Sequence, residues 1–317
     1  GDYVREMPPV YAGPQLSPAL ARKIADAAPK DPDTYIAVVA DYLQAAREVY
    51  GFAPRPVTEA EFKRAYAVEA LAQGLTKDHV VRVYAFETGG KGTFDMQAGI
   101  DPLTKQGRGI STALGYAQLL AANSSNELAK HGPGFVRRLE DMTRRRTLTP
   151  DRVKELKRKA VVVRAMLKDL AKVPNVWREH RVFSRTPKGL AIHALNLDGD
   201  VGPWLQVLKL KGLREEAAKA GLFSLNGAEI ELMNLSGPAN GLEMMLPVAK
   251  GVPSANFFER GGYERNSVVR GRTAAQLLAE IDARMQAFMV KPGAVEFAAI
   301  FDRLTRKPVA GAGAGRQ

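Results

Sequence analysis

Thr76-Lys77-Asp78-His79-Val80-Val81-Arg82-Val83-Tyr84-Ala85-Phe86-Glu87-Thr88-Gly89-Gly90 is the stretch from which the fold of this chain is read. Val80, Val83, Tyr84 and Glu87 stand at i, i+3, i+4 and i+7, the spacing of one buried helix face. Thr76 is placed to cap the N-terminus, and the glycine pair stops the helix. The pattern predicts a helix over 77–87 with Glu87 turned inward at its last turn. There the negative end of the helix dipole and partial desolvation both favour the protonated carboxyl, which makes Glu87 a candidate acid. The competing reading is a solvated glutamate at a frayed helix end.

The same periodicity recurs along the chain and predicts helices over 18–27, 33–49, 59–72, 111–122, 134–145, 150–172, 187–195, 204–220, 228–234, 274–288 and 294–304. Thr58 with Glu61 forms a capping box, Pro150 sits at the first helical position after Thr149, and prolines at 132–133, 202–203 and 237–238 read as punctuation. Alternating strand patterns are scarce, so the expected class is all-α with little sheet. The run Ala310-Gly311-Ala312-Gly313-Ala314-Gly315 reads as a loose tail.

At 317 residues the chain can bury a sizeable core. It has no cysteine, which excludes disulfides, thiolate chemistry and Cys-based zinc sites. His79, His131, His180 and His193 show no paired spacing for zinc, and the glycines at 89, 90 and 92 are not completed by Gly-Lys-Ser or Gly-Lys-Thr into a phosphate loop. Asp198-Gly199-Asp200 lacks the remaining ligands of a calcium loop and reads as a turn before the helix carrying Trp204. Neither a metal nor a cofactor is expected. No apolar run reaches the roughly 18 residues needed to span a bilayer, and no charged-then-apolar signal opens the chain, so an exported protein would have its signal already removed.

Three blocks in order carry a resemblance. Glu87-Thr88-Gly89 is followed by Ser111-Thr112-Ala113-Leu114-Gly115-Tyr116-Ala117-Gln118-Leu119-Leu120, and later by Glu231-Leu232-Met233-Asn234-Leu235-Ser236-Gly237. The set resembles the lysozyme-like lytic transglycosylases, whose catalytic Glu ends a helix and is followed by a Ser-x-x-Gly-Ala-x-Gly-Leu-Met-Gln block and an Ala-Tyr-Asn-Ala-Gly block. The resemblance implies a lysozyme-like helical catalytic core with Glu87 as the catalytic acid. It implies that Ser111, Gly115, Tyr116, Gln118 and Asn234 contact substrate. Met233 departs from the family, standing where it has the Tyr that orients the catalytic Glu; Tyr116 and Tyr84 are the candidates to replace that phenol. The chain would then divide into an N-terminal helical segment (1–74), a core (75–265) interrupted by a basic helical insertion (132–221), and C-terminal helices with a tail (266–317).

What the resemblance implies chemically is cleavage of the β-1,4 bond between N-acetylmuramic acid and N-acetylglucosamine in peptidoglycan glycan strands, within the periplasm or cell envelope. Neutral Glu87 protonates the leaving oxygen; its carboxylate then takes the proton of the C6 hydroxyl, and a 1,6-anhydro ring closes. Two alternatives stand beside it: a hydrolytic muramidase pairing Glu87 with Asp95 or Asp101, since hydrolytic glycosidases use two carboxyls, and an inactive wall-binding scaffold.

Charge is concentrated. From Arg137 to Lys188 there are 17 Lys and Arg against 6 Asp and Glu, a surplus of 11 in a chain of net charge +12. One reading is a solvated helical pair; the other is a surface that attracts an anionic polymer or protein partner. Nucleic acid is disfavoured because Trp177 and Phe183 are the only strong aromatics there and no nucleic-acid motif is present. Asn256-Phe257-Phe258-Glu259-Arg260-Gly261-Gly262-Tyr263 reads either as a sugar-cleft lining or as core.

Overall fold

The structure is a computed structural model that describes residues 35–306. The expected helix 18–27, the first residues of 33–49 and the Ala-Gly tail lie outside the described residues. Within them the fold is all-α: thirteen α-helices, three short 3-10 turns, and isolated bridges with no strand. In chain order these are α1 (Val39–Tyr50), α2 (Glu59–Ala72), α3 (Lys77–Thr88), α4 (Ala121–Met142), α5 (Pro150–Leu170), α6 (Trp177–Phe183), α7 (Pro187–His193), α8 (Val201–Lys219), α9 (Gly227–Ser236), α10 (Pro238–Met244), α11 (Arg260–Arg265), α12 (Ala274–Phe288) and α13 (Pro292–Thr305). None of them is long and apolar enough to cross a membrane.

The residues group into two compact units. The first takes in the described chain up to Val57 together with Thr93–Lys209; the second takes in Thr58–Gly92 and the chain from Leu210 onward. The division falls inside α8.

In the first unit α4 and α5 pair closely, and α1 packs on α7. Leu128, Phe135 and Leu139 of α4 and Leu156, Val163 and Met166 of α5 are buried, as expected of two apolar stripes laid against each other. Gly132-Pro133, which reads as a break, lies inside α4. A Cβ at Gly132 would lie 2.2 Å from Leu167 Cδ2, so the glycine admits Leu167 against the helix. That close packing holds the helix together through the proline, whose intrinsic cost in a helix interior is about 3 kcal/mol. Pro203 likewise sits in the first turn of α8, where a proline breaks nothing. Of the three expected stops only Pro238 is one: Gly237, at φ 88°, separates α9 from α10.

The expected helix over 111–122 is not formed. Leu114 N donates to Leu119 O (2.9 Å) and Leu119 N to Leu114 O (3.0 Å), closing a tight loop with Gly115 at φ 80° and Gln118 at φ 53°. Gly115 N also donates to Met96 O at 2.8 Å. The left-handed residues forbid a continuous helix here, and α4 starts only at Ala121, where Asn123 accepts from Leu120 N.

The Asp198-Gly199-Asp200 turn anchors the same unit. Asp198 Oδ2 accepts from Val201 N at 2.8 Å, capping α8. Lys159, 3% exposed, lies 2.8 Å from Asp198 and 2.5 Å from Asp200, and Arg152 holds both oxygens of Asp200 at 2.5 and 2.9 Å. Burial alone would raise Asp200, but the hydrogen bonds and charges of Arg152 and Lys159 hold it below the usual aspartate value. Two cations of the basic segment are thus structural, and both carboxyls are bound by side-chain cations.

In the second unit α2, α3 and α13 pack around Phe297, which meets Tyr66 at 5.7 Å and Tyr84 at 5.4 Å, both edge to face. On its other side α3 packs against α9 and α12, where Leu232, Met244, Val269, Leu277, Ile281 and Met285 form the core. Phe257, Phe258 and Tyr263 pack against this cluster half-buried, which accounts for the aromatic stretch around residue 260 by core packing.

Candidate functional site

Helix α3 forms as its residues dictate. Thr76 Oγ1 accepts from His79 N (3.3 Å) and His79 Nδ1 accepts from Thr76 N (3.1 Å), a reciprocal cap with histidine in the usual glutamate's place. Val80, Val83 and Tyr84 are buried, Thr88 Oγ1 donates to Tyr84 O in the last turn, and Gly89 at φ 69° ends the helix. The stripe therefore carries Glu87 to the inner side of the C-terminal turn, where the residue is half-buried.

Glu87 meets a second carboxyl there. Glu231 of α9, with zero exposure, is the neighbouring side chain that acts on its titration. Burial pushes Glu87 above the ordinary glutamate value, and the neighbouring Glu231 side chain pulls it partly back. Asn234, one turn further along α9 and half-buried, donates from Nδ2 to Glu231 Oε2 at 3.4 Å. α9 is fixed by its own capping box, in which Asn226 Oδ1 accepts from Glu229 N (2.9 Å) and Glu229 Oε1 accepts from Asn226 N (3.0 Å).

Tyr84, one candidate for the missing phenol, donates its hydroxyl to Gly92 O at 2.7 Å, and burial raises its pKa far above the free value. The side chain that acts on the titration of Glu87 is instead a carboxyl, that of Glu231. Glu231 was legible as a lone charge in the apolar run Ile230 to Met233, a pattern that marks either a helix facing solvent or a buried acid, and α9 is the latter. Of the expected site residues, Glu87 and Asn234 both lie in the second unit, where Asn234 bonds to Glu231 and Glu231 acts on the titration of Glu87.

Ser111, Gly115, Tyr116 and Gln118 come together in the first unit. Ser111 Oγ accepts from Ala113 N (3.2 Å), and Gln97 donates to Ser111 O at 3.1 Å. Tyr116 is buried in the core. Gln118 donates from Nε2 to Gly115 O (2.8 Å) and Met96 O (3.2 Å), so its amide ties the turn whose left-handed backbone it occupies. That conformation costs a non-glycine residue on the order of 1 kcal/mol. Gly115 is required twice over: by φ 80°, and because a Cβ would lie 2.4 Å from the buried amide of Gln206. Asp95 accepts from Thr93 Oγ1 at 2.5 Å and pairs with Lys105 at 3.4 Å, while Asp101 Oδ1 accepts from Leu103 N and Thr104 N, both at 2.8 Å, to shape an exposed turn.

Most cations of the basic segment reach solvent. On α5, Lys154, Lys157, Arg158, Arg164 and Lys168 are exposed along one face, continued by Lys172, and Arg145 and Arg146 are exposed in the preceding turn. Arg164 pairs with Glu140 and Arg158 donates to Gly51 O at 2.8 Å. Among the described residues no group of His, Asp and Glu is arranged to hold a metal ion. No protein-family profile, curated protein or solved structure matches this chain.

Proposed function

We propose that the protein is a peptidoglycan lytic transglycosylase of lysozyme-like type in which Glu87 acts as acid and then as base. The single observation that carries this reading is the Glu87 carboxyl at the end of α3, which burial raises above the ordinary glutamate value. A carboxyl raised by burial holds its proton to higher pH than a solvated one and can give it to a glycosidic oxygen. When the C1–O bond breaks, the Glu87 carboxylate takes the C6 hydroxyl proton, the C6 oxygen bonds to C1, and Glu87 returns to its acid form. Water does not enter.

The second carboxyl supports this scheme over hydrolysis. Hydrolytic glycosidases place two carboxyls about 5 to 9.5 Å apart with the sugar between them. Glu231, the acid nearest Glu87 in the titration, has no exposure, so it cannot flank a sugar. The exposed cations of α5 supply the partner surface of the proposal, drawing in an anionic polymer of the cell envelope by long-range attraction. Digestion of purified sacculi followed by mass spectrometry of the released muropeptides tests the function. Anhydro ends are expected; reducing ends would indicate a muramidase using Asp95 or Asp101, and no release would indicate a binding scaffold.

A further inference from the structure

From Lys154 to Arg181 eight cations are exposed and no acid is, since Glu155 and Glu179 are half-buried and Asp169 is buried. Along α5 and just past its end, Lys154 and Arg158, Arg164 and Lys168, and Lys168 and Lys172 stand four positions apart, a helical spacing at which like charges oppose each other. Asp169 is taken in the core by Lys188 (3.2 Å) and Tyr50 (2.8 Å). Lys168, Lys172, Arg178 and Arg181 take no carboxylate among the described residues. Such a face finds its counter-charge outside the chain.

The corner between α5 and α6 adds a feature that a soluble polyanion has no use for. Val176 is 55% and Trp177 42% exposed, between Lys172 and Arg178, and Val161, 59% exposed, stands within the cationic face of α5. Trp204, the other tryptophan of the chain, shows the contrast: it is 8% exposed, with the Arg138 guanidinium 3.9 Å from its ring centroid. Backbone bonds hold the corner, Val173 N donating to Leu170 O (2.9 Å) and Val176 N to Pro174 O (2.8 Å). His180, bonded to Ser125 at 2.9 Å, and Phe183 are buried and fix α6, which leaves Trp177, Arg178 and Arg181 outward. An exposed indole flanked by cations matches the boundary of a bilayer, where the ring sits among the headgroups and the cations meet lipid phosphates. We propose that the α5–α6 corner docks the protein on the surface of an anionic lipid bilayer, with Trp177 and Val176 entering the headgroup layer and Lys168, Lys172, Arg178 and Arg181 against the phosphates. The contact is peripheral, and it does not depend on the chemistry at Glu87.

The test is co-sedimentation of the full chain with vesicles of phosphatidylcholine alone and of phosphatidylcholine mixed with phosphatidylglycerol, at low salt. Tryptophan emission is recorded on the same samples, with and without lipids brominated along the acyl chain. Wild type is expected to sediment with the mixed vesicles only, with its emission shifted to the blue and quenched by the brominated lipid. Trp177→Ala should weaken binding about tenfold and abolish the quenching, because Trp204 is buried. Lys168→Gln, Lys172→Gln, Arg178→Gln and Arg181→Gln together should weaken it about a hundredfold or more, at about fivefold per cation. Absence of sedimentation with the mixed vesicles overturns the proposal, and so does equal sedimentation with the neutral ones. Sedimentation without quenching, undiminished in Trp177→Ala and reversed by a soluble polyanion such as dextran sulfate, overturns it too and leaves the face to a polymer. The wild-type quenching is read without any variant, so it decides the matter even where a variant does not fold.

Discussion

Glu87→Gln separates catalysis from stability, because the structure predicts that the two move in opposite directions. Removing a positioned general acid costs about 10²- to 10⁴-fold in rate, which corresponds to roughly 3 to 5.5 kcal/mol of barrier. Stability follows from the raised carboxyl. A glutamate whose folded value lies above its unfolded one supports the fold fully below the ordinary value of 4.5, and that support is lost as pH rises through the folded value. Gln is isosteric with the protonated acid and has no charge to bury, so the variant should match the wild type near pH 4.5 and exceed it at pH 8. The assay pairs muropeptide release from sacculi with thermal unfolding followed by circular dichroism at both pH values. Retention of more than about 1% of activity, the upper edge set by a hundredfold loss, would remove Glu87 from the chemistry. A variant less stable than wild type at pH 8 would refute the raising of Glu87 by burial.

Lys159→Met leaves Asp198, at zero exposure, without its nearest cation, and the loss of one partner from a buried pair should destabilise the protein by about 3 kcal/mol or more in urea unfolding. His193, buried with no exposure, is pushed down to about 4, and its Nε2 lies 2.7 Å from Thr112 O. Its neutral form supports the fold above 6.5, and lowering the pH from there to about 4 should cost about 3 kcal/mol, with NMR showing the ring neutral until the lower limit. Reversing Lys157, Lys168 and Lys172 to Glu on the exposed face should weaken sacculus pull-down at low salt and spare turnover of short glycans. Wild-type binding should fade as the Debye length falls from about 10 to about 3 Å. Equal pull-down by the reversal would mark the face as merely solvated.

The sequence by itself determined the local elements. Apolar stripes at helical spacing placed α2, α3 and α12 almost to the residue, since Thr58, Thr76 and Thr273 cap them with their own side chains and the caps act within one turn. It also placed Glu87 on the inner face at the end of α3, because that depends only on period and on the glycine stop. What it misjudged was decided by residues far along the chain. Gly132-Pro133 stays helical because Leu167 packs onto the glycine, and 111–118 turns back on itself because Gly115 bonds to Met96 and meets Gln206.

The pairing of Glu87 with Glu231 belongs to tertiary structure alone. The two are 144 positions apart, and no periodicity links them; only the packing of α9 on α3 brings them near each other and buries Glu231. The same holds for the charge of the basic segment, where composition fixed its sum but the fold decided which cations reach solvent. Lys159 and Arg152 were taken inward because Asp198 and Asp200 were there to receive them, since a buried cation is tolerated only against a carboxylate.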